Sequence, residues 1–225
     1  MPQRTAIGES SAAAFVPADA DLAELIAAAS SCRGCELYQN ASQTVFGGGP
    51  AHAKAVFVGE QPGDVEDRRG KPFVGPAGKV LDRALVDAGI DRDSTYVTNA
   101  VKHFRWRSTA SSKRRIHEKP DARHVRACQP WLTAELNVVR PRIVVALGAV
   151  AALALFGSAF RLTQHRGELL EWPPPRGPYA GDSLPIEAAL ATIHPSAVLR
   201  VPPADRDEAY TGLVRDLKVV ASALS

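Results

Sequence analysis

Arg142-Ile143-Val144-Val145-Ala146-Leu147-Gly148 is the stretch on which the fold turns. Five consecutive apolar residues, β-branched at three positions and closed by a glycine, do not alternate with polar ones, so neither face of the strand is meant for water. Strands of that kind belong to parallel sheets covered by helices on both faces. Working outward, 54–59 has the same short, β-branched and apolar character, and 95–98 and 190–193 read as further strands. Helical patterns separate them: 77–88, stopped by Gly89; 121–139, with Asp121 as its N-cap; a small-residue helix from Gly148 to Phe156; and 205–223. The expectation is an α/β fold, a three-layer α/β/α sandwich around a central four-stranded, mainly parallel sheet. Functional residues should then gather at the carboxyl ends of the strands, where the chain has Glu60 to Asp64, Asn99 and His194. The proline-dense stretch 172–185 predicts an irregular surface connection, and no internal repeat is present.

A chain of 225 residues, 45% hydrophobic, can bury one sizeable core. We expect a flexible N-terminus over 1–17 and a single domain over 18–225. No apolar run approaches the roughly 18 residues of a membrane span, and 12–16 is too short for a signal-peptide core, so a cytoplasmic protein without a membrane partner is expected. Three cysteines in a reducing compartment do not make a disulfide framework, and Cys32-Arg33-Gly34-Cys35 has the spacing of a metal or redox site. A thioredoxin-like role fits poorly, because the helix predicted over 21–29 ends before Cys32 rather than starting there.

Charge is unevenly spread. Between Lys102 and Arg126 nine Lys or Arg face two Asp or Glu, a net of +7 in a chain whose total is +3. A basic segment in an otherwise acidic scaffold is the footprint of a protein that grips a polyanion at one place, although a solvated basic loop has the same composition. Three common chemistries are excluded. Gly75-Pro76-Ala77-Gly78-Lys79 lacks the first glycine and the final Ser or Thr of a phosphate loop, and neither a G-x-S-x-G elbow nor an H-E-x-x-H helix occurs.

The runs Gly59-Glu60-Gln61-Pro62-Gly63, Gly70-Lys71-Pro72-Phe73-Val74-Gly75, Thr98-Asn99-Ala100-Val101-Lys102 and His194-Pro195-Ser196 closely resemble, in order and spacing, the motifs of family 4 uracil-DNA glycosylases. Lys113-Arg114-Arg115-Ile116-His117 resembles the insertion of the UdgX group, whose members attach covalently to uracil-containing DNA. The resemblance implies a [4Fe-4S] cluster held by Cys32, Cys35, His103 and Cys128, with His103 where family 4 has a cysteine. By spacing alone, His124 is a rival fourth ligand, four residues before Cys128, and zinc is a rival metal.

Under that resemblance each residue acquires a role. Phe73 is the stacking platform for an extruded base, and the Asn99 amide, one donor and one acceptor, matches O4 and N3–H of uracil. His194 donates toward O2 of the departing base. Glu60 supplies a carboxylate near the sugar, with Asp64 holding the loop or assisting. His117 is the expected nucleophile at C1′. Lys113, Arg114 and Arg115 are expected to clamp phosphates, and Gln61 and Ser196 to contact the base or DNA. The expected partner is uracil-containing DNA, single strands included, bound by a monomer. Two alternatives stay open: a conventional multiple-turnover glycosylase, and a non-catalytic uracil-DNA-binding module.

Overall fold

The computed structural model describes residues 11–109 and 112–225. In chain order the strands are β1 (Ala55–Gly59), β2 (Thr95–Asn99), β3 (Trp106–Thr109), β4 (Ser112–His117), β5 (Ile143–Leu147), β6 (Leu169–Glu171) and β7 (Ala188–Thr192). The helices are α1 (Leu22–Ala29), α2 (Asp64–Arg69), α3 (Pro76–Ala88), α4 (Ala122–Val139), α5 (Ala149–Phe156), α6 (Leu162–His165), α7 (Pro195–Arg200) and α8 (Arg206–Leu224).

Among the described residues the main sheet has the order β2-β1-β5-β7-β6, with β2, β1, β5 and β7 parallel. All five residues of each parallel strand are buried, Thr95, Thr98 and Asn99 of β2 included, as strands covered on both faces require. Successive side chains still point to opposite faces. Phe57, Val145 and Leu190 pack with Leu81 of α3 and Leu213 and Leu217 of α8, while Val56, Val58 and Val144 pack with Leu25 of α1 and Trp131 and Leu136 of α4. The result is the expected three-layer sandwich. The expected four strands become five: β6 adds an antiparallel edge to β7. Its three residues pair on one side only and are largely exposed, so they carry neither the length nor the apolar run that marks its neighbours.

Local chemistry sets the helix ends. Asp21 caps α1 by accepting from the Glu24 amide at 2.8 Å, and Asp121 caps α4 by accepting from the Arg123 amide at 2.9 Å. Gly89 ends α3 with φ +80°, where a Cβ is unfavourable.

The basic segment, expected as a loop, is an antiparallel hairpin of β3 on β4 with Trp106 opposite His117. The first ten residues of the expected flexible N-terminus lie outside the described residues; beyond them Ala12 is buried, and its N–H donates to the Ala127 carbonyl of α4 at 2.7 Å. No helix among the described residues is long and apolar enough to cross a membrane.

The chain runs from β1 to β2 on one side and later returns to place β5 on the other side of β1. That reversal opens a crevice beyond the carboxyl ends of β1 and β5, the place where open α/β sheets hold ligands.

Candidate active site

A cavity of about 960 Å³ occupies this crevice, and its lining includes Glu60, Gln61, Asp64, Phe73, Asn99, His117, His194 and Ser196, eight of the residues the sequence had singled out. They reach it from the exits of β1, β2 and β7, from the loop before α3, and from the end of β4.

The pocket floor is tightly fitted. Asn99, 3% exposed, ends β2 directly opposite Gly59 in the parallel register. A Cβ on Gly59 would lie 2.4 Å from Asn99 Oδ1 and 2.7 Å from Phe73 Cζ, so only glycine admits both side chains. Phe73 has φ +54°, a left-handed conformation uncommon for an aromatic residue and worth roughly 1–3 kcal/mol of strain. Its loop is held in that shape by Glu66, whose carboxylate accepts from the Gly75 amide at 2.7 Å and the Gly63 amide at 3.1 Å.

His194 stacks at 24° to the Phe73 ring, centroids 6.1 Å apart. Its Nδ1 accepts the Ser196 amide at 3.1 Å, with Ser196 Oγ at 2.8 Å. An amide can only donate, so Nδ1 carries the lone pair and the neutral ring bears its proton on Nε2. Burial, followed by Arg200 and His117, lowers the pKa to about 4, which keeps the ring neutral at pH 7. Ser196 thus fixes His194.

His117 Nε2 lies 3.5 Å from Glu60 Oε1, too long for a direct hydrogen bond but close enough for mutual influence. Burial first, then Arg200, lowers the His117 pKa below its ordinary 6.5. Burial raises that of Glu60, against the pull of Lys119 and Arg200. The pair therefore couples a neutral imidazole with a carboxylate of increased basicity.

The hairpin that presents His117 is pinned at two points. Gln61 Nε2 donates to the carbonyls of Arg105 at 3.2 Å and Glu118 at 2.9 Å, while its Oε1 accepts the Arg105 amide at 3.0 Å. Gln61, expected to contact a base, spends its amide on the hairpin instead. Arg115, expected on a phosphate, is 11% exposed; it pairs with Asp64 at 2.5 Å and Asp67 at 2.5 Å and lies over Phe104 and Trp106. Asp64 is correspondingly a hairpin anchor: burial raises its pKa, but Arg68 and Arg115 outweigh this and leave it lowered. Alternation along β4 puts Arg115 and His117 on one face and leaves Arg114 exposed on the other. The side chain of Lys113 lies outside the described residues. Lys119 and Arg200, which sequence reasoning missed, line the cavity, and Arg200 acts electrostatically on Glu60, His117 and His194. One arginine at the end of a short helix gives no signal in a sequence.

The expected metal ligands lie outside the cavity lining. Cys32, Cys35 and Cys128 are all buried. Trp131 Nε1–H donates to Cys32 Sγ at 3.2 Å and the Lys102 amide to Cys128 Sγ at 3.3 Å, bonds of the kind that support thiolate charge. Burial raises Cys35 to about 11 and Cys128 to about 12, so both are protonated thiols until a metal displaces the proton. Thr44 donates its hydroxyl hydrogen to the Ala29 carbonyl at 2.8 Å, so at 2.9 Å it can only accept from His103 Nε2, leaving Nδ1 with the lone pair. A ligating histidine is normally fixed through its other nitrogen in this way. His124 has no lone pair to spare: Nδ1 accepts the Asp121 amide at 3.1 Å and Nε2 faces Glu36 at 3.0 Å. The donor types and their supports fit a Cys3His set, although no group of three or more such side chains among the described residues stands at metal-holding geometry.

The family model of the uracil DNA glycosylase superfamily matches residues 46–218. Among curated proteins, the type-4 uracil-DNA glycosylase of Thermotoga maritima is 34% identical over 171 residues, 75% of this chain and 78% of the relative. That of Pyrobaculum aerophilum is 33% identical over 184 residues, 81% and 86% of the two chains. The Saccharolobus solfataricus type-4 enzyme is 31% identical over 199 residues, 86% and 82%.

Proposed function

Because the chain belongs to the uracil-DNA glycosylase superfamily, we propose that it excises uracil from DNA and that His117 then becomes bonded to C1′ of the abasic deoxyribose. The observation that carries the second half is His117 Nε2 at 3.5 Å from Glu60, at the edge of the cavity that also holds Asn99, Phe73 and His194.

A uracil nucleotide turned out of the strand costs a few kcal/mol of unstacking and is received by Phe73 and the Asn99 amide. The C1′–N1 bond breaks with its electron pair leaving on uracil, whose charge collects at O2 and is stabilised by the Nε2–H of neutral His194. Glu60 opposes the positive character of the sugar. The His117 lone pair forms the new N–C1′ bond; the remaining ring proton is given up, Glu60 being the nearest base, and uracil takes a proton in turn. The balance is histidine plus deoxyuridine to histidine-linked deoxyribose plus uracil. An alkylated imidazole leaves C1′ poorly, so the bond persists. Arg114 and Lys113 meet phosphates, with Lys119 and Arg200 adding positive charge at the cavity, and binding weakens with salt accordingly. Leu199, 40% exposed beside Arg200 in the cavity lining, is an apolar side chain available to fill the gap left by the extruded base.

A [4Fe-4S] cluster on Cys32, Cys35, His103 and Cys128 is part of this reading, and three buried thiols plus a histidine with Nδ1 free support it. Its chemistry there is structural, joining the segment after α1 to α4 and the root of the hairpin. The protein acts as a cytoplasmic monomer on uracil-containing DNA, single strands included.

Release of free uracil, measured against protein concentration, tests the reading. A single burst equal to the enzyme present is expected. Continued release in excess makes it a conventional glycosylase, and no release makes it a binding module.

A further inference from the structure

Lys102, the last residue of the Thr98-Asn99-Ala100-Val101-Lys102 run, has no part in the chemistry above, yet it is completely buried, as is Glu135 of α4. Its ammonium spends all three protons: on Glu135 Oε2 at 2.5 Å, on Thr98 Oγ1 at 2.7 Å and on the carbonyl of Asn99 at 2.8 Å. Glu135 in turn accepts from Tyr96 Oη at 2.9 Å, Thr98 Oγ1 at 2.8 Å and the Gly47 amide at 3.1 Å. The backbone of the same turn is stitched to the exit of β1, Ala100 N–H to Gly59 O at 2.9 Å and Val101 N–H to Glu60 O at 3.1 Å.

A buried ion pair of this kind is an expensive way to fill a core, and apolar residues of similar volume commonly do as well or better for stability. What apolar residues cannot do is fix the direction of a carbonyl. Here that carbonyl belongs to Asn99, whose side chain lines the cavity with no slack against Gly59. The same lysine's amide holds Cys128, and Cys128 and Glu135 lie seven residues apart, two turns along one face of α4. We infer that the Lys102–Glu135 pair is a positioning device that sets the Asn99 amide for the base and ties it to α4. The inference rests on the functional reading above.

Single removal of either partner strands a buried charge and destabilises the fold, so the test uses the double variant Lys102→Met/Glu135→Leu, with Thr98→Val, which takes one hydrogen bond from each charge and strands neither, as a second probe should the double variant not fold. Covalent capture of a uracil-bearing oligonucleotide under single-turnover conditions has an amplitude that counts intact sites and a rate that reads geometry. A positioning role predicts full amplitude with a rate lowered at least ten-fold, and unchanged affinity for uracil-free DNA. Thr98→Val should lower the rate in the same direction by a smaller factor. Wild-type rate at any amplitude in a folded variant overturns the inference, the network then being scaffold only. A wild-type protein that neither captures nor releases uracil overturns the functional reading, and this inference with it.

Discussion

Arg115 Nη1 lies 2.5 Å from Oδ2 of Asp67, a carboxylate with no exposed surface that also accepts the Ser42 amide at 3.0 and 3.1 Å. The guanidinium expected on a phosphate is thus the rivet that fastens the His117 hairpin to α2. Arg115→Ala should leave Asp67 buried without its cation, at a cost of about 3 kcal/mol, and should slow capture because His117 loses its position. Thermal unfolding and capture rate measured together check this. An Arg115→Ala protein of unchanged midpoint, whose defect disappears at low salt, would instead make Arg115 a phosphate contact.

The pH dependence follows from the histidines. The proposed capture needs neutral His117, whose pKa burial and Arg200 hold below 6.5, so the rate should rise with pH through an inflection below 6.5 and then level off. Arg200→Ala should move the inflection upward, since Arg200 lowers both His117 and Glu60, yet leave it under 6.5 because burial persists. His194 gives a matching stability term. With its folded pKa lowered to about 4 against 6.5 unfolded, the unfolded chain binds more protons between those values, so its contribution is present above 6.5 and is lost as pH falls toward 4. A pH–rate profile and urea midpoints at pH 7 and 4.5 measure the two effects. A rate that falls as pH rises from 5 to 7 would contradict neutral His117.

The two candidate fourth ligands separate cleanly. His103→Ala should abolish visible absorbance of the purified protein, whereas His124→Ala should keep it and lose only the bonds at the start of α4, about 1 kcal/mol. Absorbance lost in the His124 variant and kept in the His103 variant would reverse the assignment.

Much of this was legible because it is local. The five-residue apolar runs of β1 and β5, the cap Asp121, and the left-handed Gly89 each carry their own signal, and together they give the layers and the strand ends where the cavity lies. What was illegible depends on partners far along the chain. Nothing within Arg114-Arg115 says which faces inward; strand alternation and Asp67, 48 residues away, decide it. The hairpin itself hides because its strands are short and charged, without an apolar face. Gln61 offered a free amide to the reader of the sequence, but its partners are carbonyls on Arg105 and Glu118, 44 and 57 positions on. Lys102 and Glu135, 33 apart, are two ordinary charges until the fold buries them together.

Denaturing gel electrophoresis with a labelled single-stranded oligonucleotide carrying one uracil, beside a thymine control and the His117→Ser variant, addresses the central claim directly. The account predicts a heat-stable band at the mass of protein plus DNA, dependent on uracil and absent in His117→Ser. A band that survives the His117→Ser change, or free oligonucleotide with an alkali-labile gap from the wild-type protein, would contradict it.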